Sequence, residues 1–146
     1  LKLVRGEMKG AFEIERDLQP NLPLLKLDAG KISQVFVNLF TNAIHAMEEK
    51  GSLTISTSHS NGMVQIAIRD TGCGISPEHL KKIFNPFFST KPKGKGTGLG
   101  LYNVKTIVKK YHGNLEVESE QGKGTTFRLS FPAIPPVEDK VASEKP

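Results

Sequence analysis

The chain has 146 residues, 37% hydrophobic and 24% charged, with a formal net charge of +5. One domain of this length buries roughly two-thirds of its unfolded surface, so no disulfide staple is needed, and the lone Cys73 excludes an internal one. No apolar run approaches the ~20 residues of a membrane helix, and aromatic residues do not interleave with basic ones as they do in single-strand binders.

Membrane contact and nucleic acid are therefore not expected of this chain. A single thiol points to a reducing compartment, so a cytoplasmic setting is expected. The chain opens at Leu1-Lys2-Leu3-Val4, without methionine or a signal-like segment, and reads as a piece of a longer protein. Residues 1–11 are expected to be a remnant of a connection, 12–132 the folded domain and 133–146 a disordered tail.

Phe12 to Leu18 alternates apolar and polar residues and predicts a half-buried strand. Pro20 and Pro23 break it by removing backbone donors, and Leu24 to Leu27 reads as a short edge strand. Asp28 suits a helix N-cap. After it Ile32, Val35, Phe36, Leu39, Phe40, Ala43, Ile44 and Met47 recur at three- and four-residue steps. That is the apolar stripe of an amphipathic helix, closing near Lys50-Gly51.

Leu53–Thr57 and Val64–Arg69 alternate, with Ser60-Asn61-Gly62 as a hairpin signal between them. Ser76-Pro77-Glu78 opens a short helix expected to run through about Ile83. Pro92 to Gly100 is rich in glycine and lysine, and a helix follows from about Leu101 to Tyr111. Leu115–Glu118 and Thr126–Phe131 are two more strands around the turn at Gln121–Gly124. The order predicts helices layered on one face of a largely antiparallel sheet.

Five stretches stand out as candidate motifs. Gln34, Asn38 and Asn42 lie at four-residue steps on one helix face. An asparagine carbonyl is a hard oxygen ligand suited to Mg²⁺, although such amides equally serve to satisfy backbone. Asp70-Thr71-Gly72-Cys73-Gly74 ends a strand with two glycines that let backbone approach a ligand. Its carboxylate only accepts hydrogen bonds, so it would favour the exocyclic amine of adenine over the oxygen of guanine. A plain turn in which Asp70 bonds its own backbone fits the same residues.

Phe84-Asn85-Pro86-Phe87-Phe88 includes two adjacent phenylalanines, which cannot both point inward on a regular element. Gly94-Lys95-Gly96-Thr97-Gly98-Leu99-Gly100-Leu101 leads straight into a helix, an arrangement whose amides wrap phosphates but which also describes a flexible linker. Gly122-Lys123-Gly124-Thr125-Thr126 alone is an ordinary hairpin turn.

Taken in order, the NLxxNA helix, DxGxG, FxPFF, GxGxGLGL and the late GxGT turn resemble the N, G1, F, G2 and G3 boxes of the catalytic domains of sensor histidine kinases. These belong to a superfamily shared with DNA gyrase, an ATP-driven chaperone and mismatch-repair ATPases. The likeness spans roughly Phe12 to Phe131. It implies an α/β two-layer sandwich of the Bergerat type, with a mixed, mostly antiparallel sheet covered on one face by helices.

It also implies ATP and Mg²⁺ as cofactors. Asn42 would hold the metal, Asn38 would support it catalytically, and Asp70 would read the adenine amine with Gly72, Gly74 and Ile75 around it. Gly96, Thr97, Gly98, Leu99, Gly100 and Leu101 would lie along the phosphates. Phe84 would border the site, Lys91 would reach the γ-phosphate as a catalytic residue, and Thr125 or Thr126 would line the adenine end.

Where many family members carry a basic residue followed by an aromatic one, this chain has His45 and Ala46. His45 would still donate to phosphate, more weakly near neutral pH, and a stacking ring would be lost. Asn38 stands where ATP-hydrolysing relatives are expected to hold a glutamate base, which favours transfer to histidine over hydrolysis. None of His45, His59, His79 and His112 sits in an acceptor motif.

The expected partners are dimerisation and phosphotransfer helices of the same parent, which would be a homodimer with or without a membrane anchor, and a response regulator downstream. This piece is expected to be monomeric. A nucleotide-sensing module that transfers nothing and a serine kinase of the same superfamily are the alternatives.

Overall fold

The computed structural model describes residues 11–48, 50–88 and 99–134. Its elements, in chain order, are β1 (Ala11–Leu18), α1 (Ala29–Met47), β2 (Lys50–Ser60), β3 (Met63–Asp70), α2 (Pro77–Leu80), α3 (Gly100–Lys110), β4 (Asn114–Glu120) and β5 (Gly124–Pro132). The strands form one five-stranded sheet in the order β1-β2-β3-β5-β4. β1 and β2 are parallel, which requires a crossover, and α1 supplies it. All other neighbours are antiparallel.

Local chemistry explains the element ends. Asp28 caps α1, its Oδ1 accepting from the N–H groups of Gly30 at 2.8 Å and Lys31 at 3.1 Å. The hairpin between β2 and β3 turns through Asn61 at φ 53° and Gly62 at φ 74°. Two positive angles make the tight turn whose twist matches the strands, hence an Asn-Gly pair. Along β3 and β5, alternate residues are buried: Val64, Ile66, Ile68 and Asp70 on one, Thr125, Phe127, Leu129 and Phe131 on the other. Val35, Leu39, Ala43 and Ile44 of α1 and Val104, Ile107 and Val108 of α3 complete that core. Helices over one sheet face make the two-layer α/β sandwich.

Three expectations are corrected. Leu24–Leu27 is not a strand. Among the described residues its one long-range backbone bond runs from the Ile134 N–H to the Leu24 carbonyl, and Leu22, Leu25 and Leu27 are held by packing on the core. The helix at Pro77 stops at Leu80, because the next bonds, Lys82 N–H to His79 and Asn85 N–H to Lys82, span three residues. Pro86 then has no N–H with which to continue. Residues 133–134 are not part of a disordered tail: the Ala133 N–H bonds the Gly62 carbonyl and its side chain packs on the core. The expectations for residues 1–10 and 135–146 lie outside the described residues.

Candidate functional site

The pairing register builds one row across the sheet. Asp70 of β3 lies opposite Thr125 of β5, and Thr125 opposite Ser119 of β4. Directly opposed residues project to the same face, so the three side chains stand beside one another. On the other side of Asp70 the row continues into Leu53 of β2. The row thus turns from apolar to polar at Asp70. Asp70 and Thr125 are each only 5% exposed in an otherwise hydrophobic core.

Burial raises the Asp70 pKa above the ordinary value of 3.8, while backbone hydrogen bonds from Gly72 and Thr125 oppose that shift. The Gly72 N–H lies 2.8 Å from the carboxylate. Thr125 and Ser119 are joined by a hydroxyl–hydroxyl bond of 2.8 Å. The Ser119 Oγ also accepts from the Ile75 N–H at 2.7 Å and bonds the Gly124 carbonyl at 3.0 Å.

The loop after Asp70 is fastened from both sides. The Cys73 N–H donates to the Ala46 carbonyl at 3.0 Å, and the Gly122 N–H donates to the Cys73 carbonyl at 2.7 Å. Gly72 packs directly on α1, where a Cβ would come 2.7 Å from the Ala46 Cβ. Gly74 has φ +75°, and a Cβ there would run into the Glu120 carbonyl.

Helix α1 supplies the facing wall. Asn38, Asn42 and Ala46 follow at four-residue steps, each rising about 6 Å. The Asn38 Nδ2 donates to the Gly100 carbonyl at 3.2 Å, while Ala46 meets Gly72 and Cys73. Half-buried Asn42 therefore sits one turn from each contact, between the start of α3 and the Asp70 loop. Gly100 opens α3, so the first-turn amides of that helix and the positive end of its dipole are placed beside Asn38.

Asp70, Gly72, Gly74, Ile75 and Thr125 thus gather around one strand-end loop, and α1 runs from that loop at Ala46, past Asn42, to Asn38 at Gly100. Leu99 precedes Gly100 at the N-cap position of α3, and Leu101 packs half-buried on the core. His45 is exposed in the last turn of α1.

Thr126 is a correction: strand alternation turns it to the opposite sheet face, in line with Arg69 and Glu118. Phe84 meets Phe127 edge-on at 6.5 Å, with the Lys105 ammonium 5.8 Å from its ring centre. It lines a cavity of about 250 Å³ with α3 and β4 residues, none of them among the other expected site residues. Phe88 is half-buried against His79, whereas Phe87, at φ 67°, is 75% exposed. Lys91, Gly96, Thr97 and Gly98 lie outside the described residues.

Sequence reasoning missed Ser119 as a site residue and the contact of Ala46 with Gly72. Two-residue alternation was the available signal for both Thr125 and Ser119. Ser119 shares parity with Leu115 and Val117, and Thr125 with Phe127 and Leu129.

This arrangement is the α/β fold of histidine kinase catalytic domains. A mycobacterial sensor histidine kinase, MprB, superposes with a TM-score of 0.80 at 27% identity, covering 92% of this chain and 90% of that one. The chain belongs to the histidine kinase-, DNA gyrase B- and HSP90-like ATPase family, whose model matches residues 27–135.

Among curated relatives, the sensor kinase CckA of Brucella abortus is 39% identical across 99% of this chain and 16% of its own length. The sensor histidine kinase ZraS of Escherichia coli K12 is 41% identical over 76% of this chain and 23% of its own. The chain therefore spans less than a quarter of either relative. No helix among the described residues is long and apolar enough to cross a membrane.

Proposed function

We propose that this chain binds Mg²⁺-ATP between α1, the Asp70 loop and the start of α3. We further propose that it passes the γ-phosphoryl group to a histidine on a separate dimerisation helix of its parent sensor kinase. The observation that carries the reading is the bracketing of Asn42, with Asn38 bonded to Gly100 on one side and Ala46 packed on Gly72 on the other.

Adenine enters against Asp70, whose carboxylate accepts from the exocyclic amine. The phosphates then lead toward Gly100, where the α3 amides meet them. Lys91, Gly96, Thr97 and Gly98 are assigned to the same phosphates from the sequence pattern, with His45 as a weaker donor.

The donor set fits magnesium. The protein's ligand would be the Asn42 amide oxygen, an assignment that comes from the motif pattern and is supported by its place between Gly100 and Gly72. A hard cation of this kind completes its shell with water and phosphate oxygens. When bound it would neutralise phosphate charge.

Asn38 directs one amide proton to Gly100, leaving an oxygen that only accepts. It orients a proton donor without becoming a base, and water is not activated. Neutral imidazole brings its own lone pair, so positioning and charge neutralisation suffice for transfer. The parent would act as a homodimer, on the cytoplasmic side, upstream of a response regulator.

The test supplies a helical hairpin bearing the acceptor histidine in trans with labelled ATP. Acid-labile phosphate on that histidine is expected. Acid-stable phosphoserine, or ATP binding with no transfer, would contradict the transfer step.

A further inference from the structure

The hydroxyl of Ser119 has one proton and two lone pairs, and its three partners in the structure fix where all of them go. The Gly124 carbonyl only accepts, so Ser119 spends its proton there at 3.0 Å. The Ile75 N–H only donates and takes one lone pair at 2.7 Å. The remaining lone pair faces the Thr125 Oγ1 at 2.8 Å, and Ser119 has no proton left to give. Thr125 must therefore be the donor in that bond. Its own proton is thereby committed to Ser119, and its oxygen can offer any further neighbour nothing but acceptance.

We infer that Ser119 is a specificity-positioning residue: by holding the Thr125 proton it makes the wall beside the base an all-acceptor surface, the Asp70 carboxylate next to the Thr125 oxygen. Asp70 and Thr125 are opposed across β3 and β5, so their side chains stand about 5 Å apart on one face. An exocyclic amine carries two N–H donors, one for each acceptor. A purine with a carbonyl at that position meets two acceptors and is rejected. The same Ser119 oxygen anchors the Asp70 loop through Ile75, so one side chain sets both the shape and the polarity of this end of the proposed site.

The inference rests on the nucleotide reading above. The experiment measures binding of ATP and of inosine triphosphate, its 6-oxo analogue, to the intact chain and to its variants by titration calorimetry. Ser119→Ala frees the Thr125 proton, and the ATP-to-ITP affinity ratio should fall by about three- to tenfold, the worth of one hydrogen bond. Ser119→Thr keeps the hydroxyl and should restore the ratio. Thr125→Val, with Ser119 intact, should lower the ratio alone, and adding Ser119→Ala to it should lower it no further.

A merely structural Ser119 would weaken both nucleotides by the same factor. An unchanged ratio in Ser119→Ala and Thr125→Val overturns the inference while leaving nucleotide binding intact. Failure of the unaltered chain to bind ATP overturns the proposed function and the inference with it.

Discussion

Asp70 is under opposing demands. Burial favours its neutral form, while the N–H groups of Gly72 and Thr125 favour the carboxylate, as the adenine amine would in the proposed complex. Because the folded pKa is raised, the linked contribution to stability is present below 3.8 and lost as pH rises through the folded value. Nucleotide binding carries the opposite sign, since the charged form is the acceptor. ATP affinity should therefore fall as pH drops through a value above 3.8.

Asp70→Asn should weaken ATP by about 10- to 100-fold, the worth of a hydrogen bond to a charged group, and remove that acid limb. Calorimetric titration across the acid range checks both, and an Asp70→Asn protein with unaltered affinity would take Asp70 out of the pocket. The aspartate was legible in the sequence because two glycines follow it closely. Ser119 was not, because alternation gives its sheet face but not the partners it meets there. Its role appears only when β4 pairs with β5 and brings Ile75, Gly124 and Thr125 around one oxygen.

At the scale of elements, α1 is both a core helix and the site's wall. Its apolar stripe faces the sheet and α3, and its Asn38-Asn42-Ala46 row runs from Gly100 to Gly72. The angle of its entry is set at Asp28, whose side chain caps the helix and whose N–H bonds the Tyr111 hydroxyl at the end of α3. Asp28→Ala should cost about 1 kcal/mol in urea unfolding. No measurable loss would show that packing alone holds this end.

The cap, the stripe and the Asn-Gly hairpin were readable because each is written in residues a few positions apart. The supposed strand at Leu24–Leu27 was misread for the converse reason. A strand exists only if a neighbour supplies a ladder, and among the described residues the one backbone partner is Ile134, more than a hundred residues away. Thr125 and Thr126 could be told apart by parity, which a motif match alone does not consult.

The molecule as a whole places a polar row at one end of an apolar sheet and lays two helices over it, so that motifs far apart in sequence converge. The order of the motifs carried the family, and pairing register decided which of their side chains share a face. A second cavity, of about 280 Å³, lies between Phe36, Phe40, Ile55 and Ile66. It is apolar and shares no residue with the row through Asp70, so it serves as an internal control for where nucleotide goes.

Amide chemical shifts of the labelled chain, followed while Mg²⁺-ATP is added, test the central claim most directly. The account predicts saturable changes at Asn38, Asn42, Ala46, Gly72, Gly74, Gly100 and Thr125, with Phe36, Ile55 and Ile66 unmoved. Changes confined to the apolar cavity, or none at Asn42 and Gly72 with ATP bound, would contradict it.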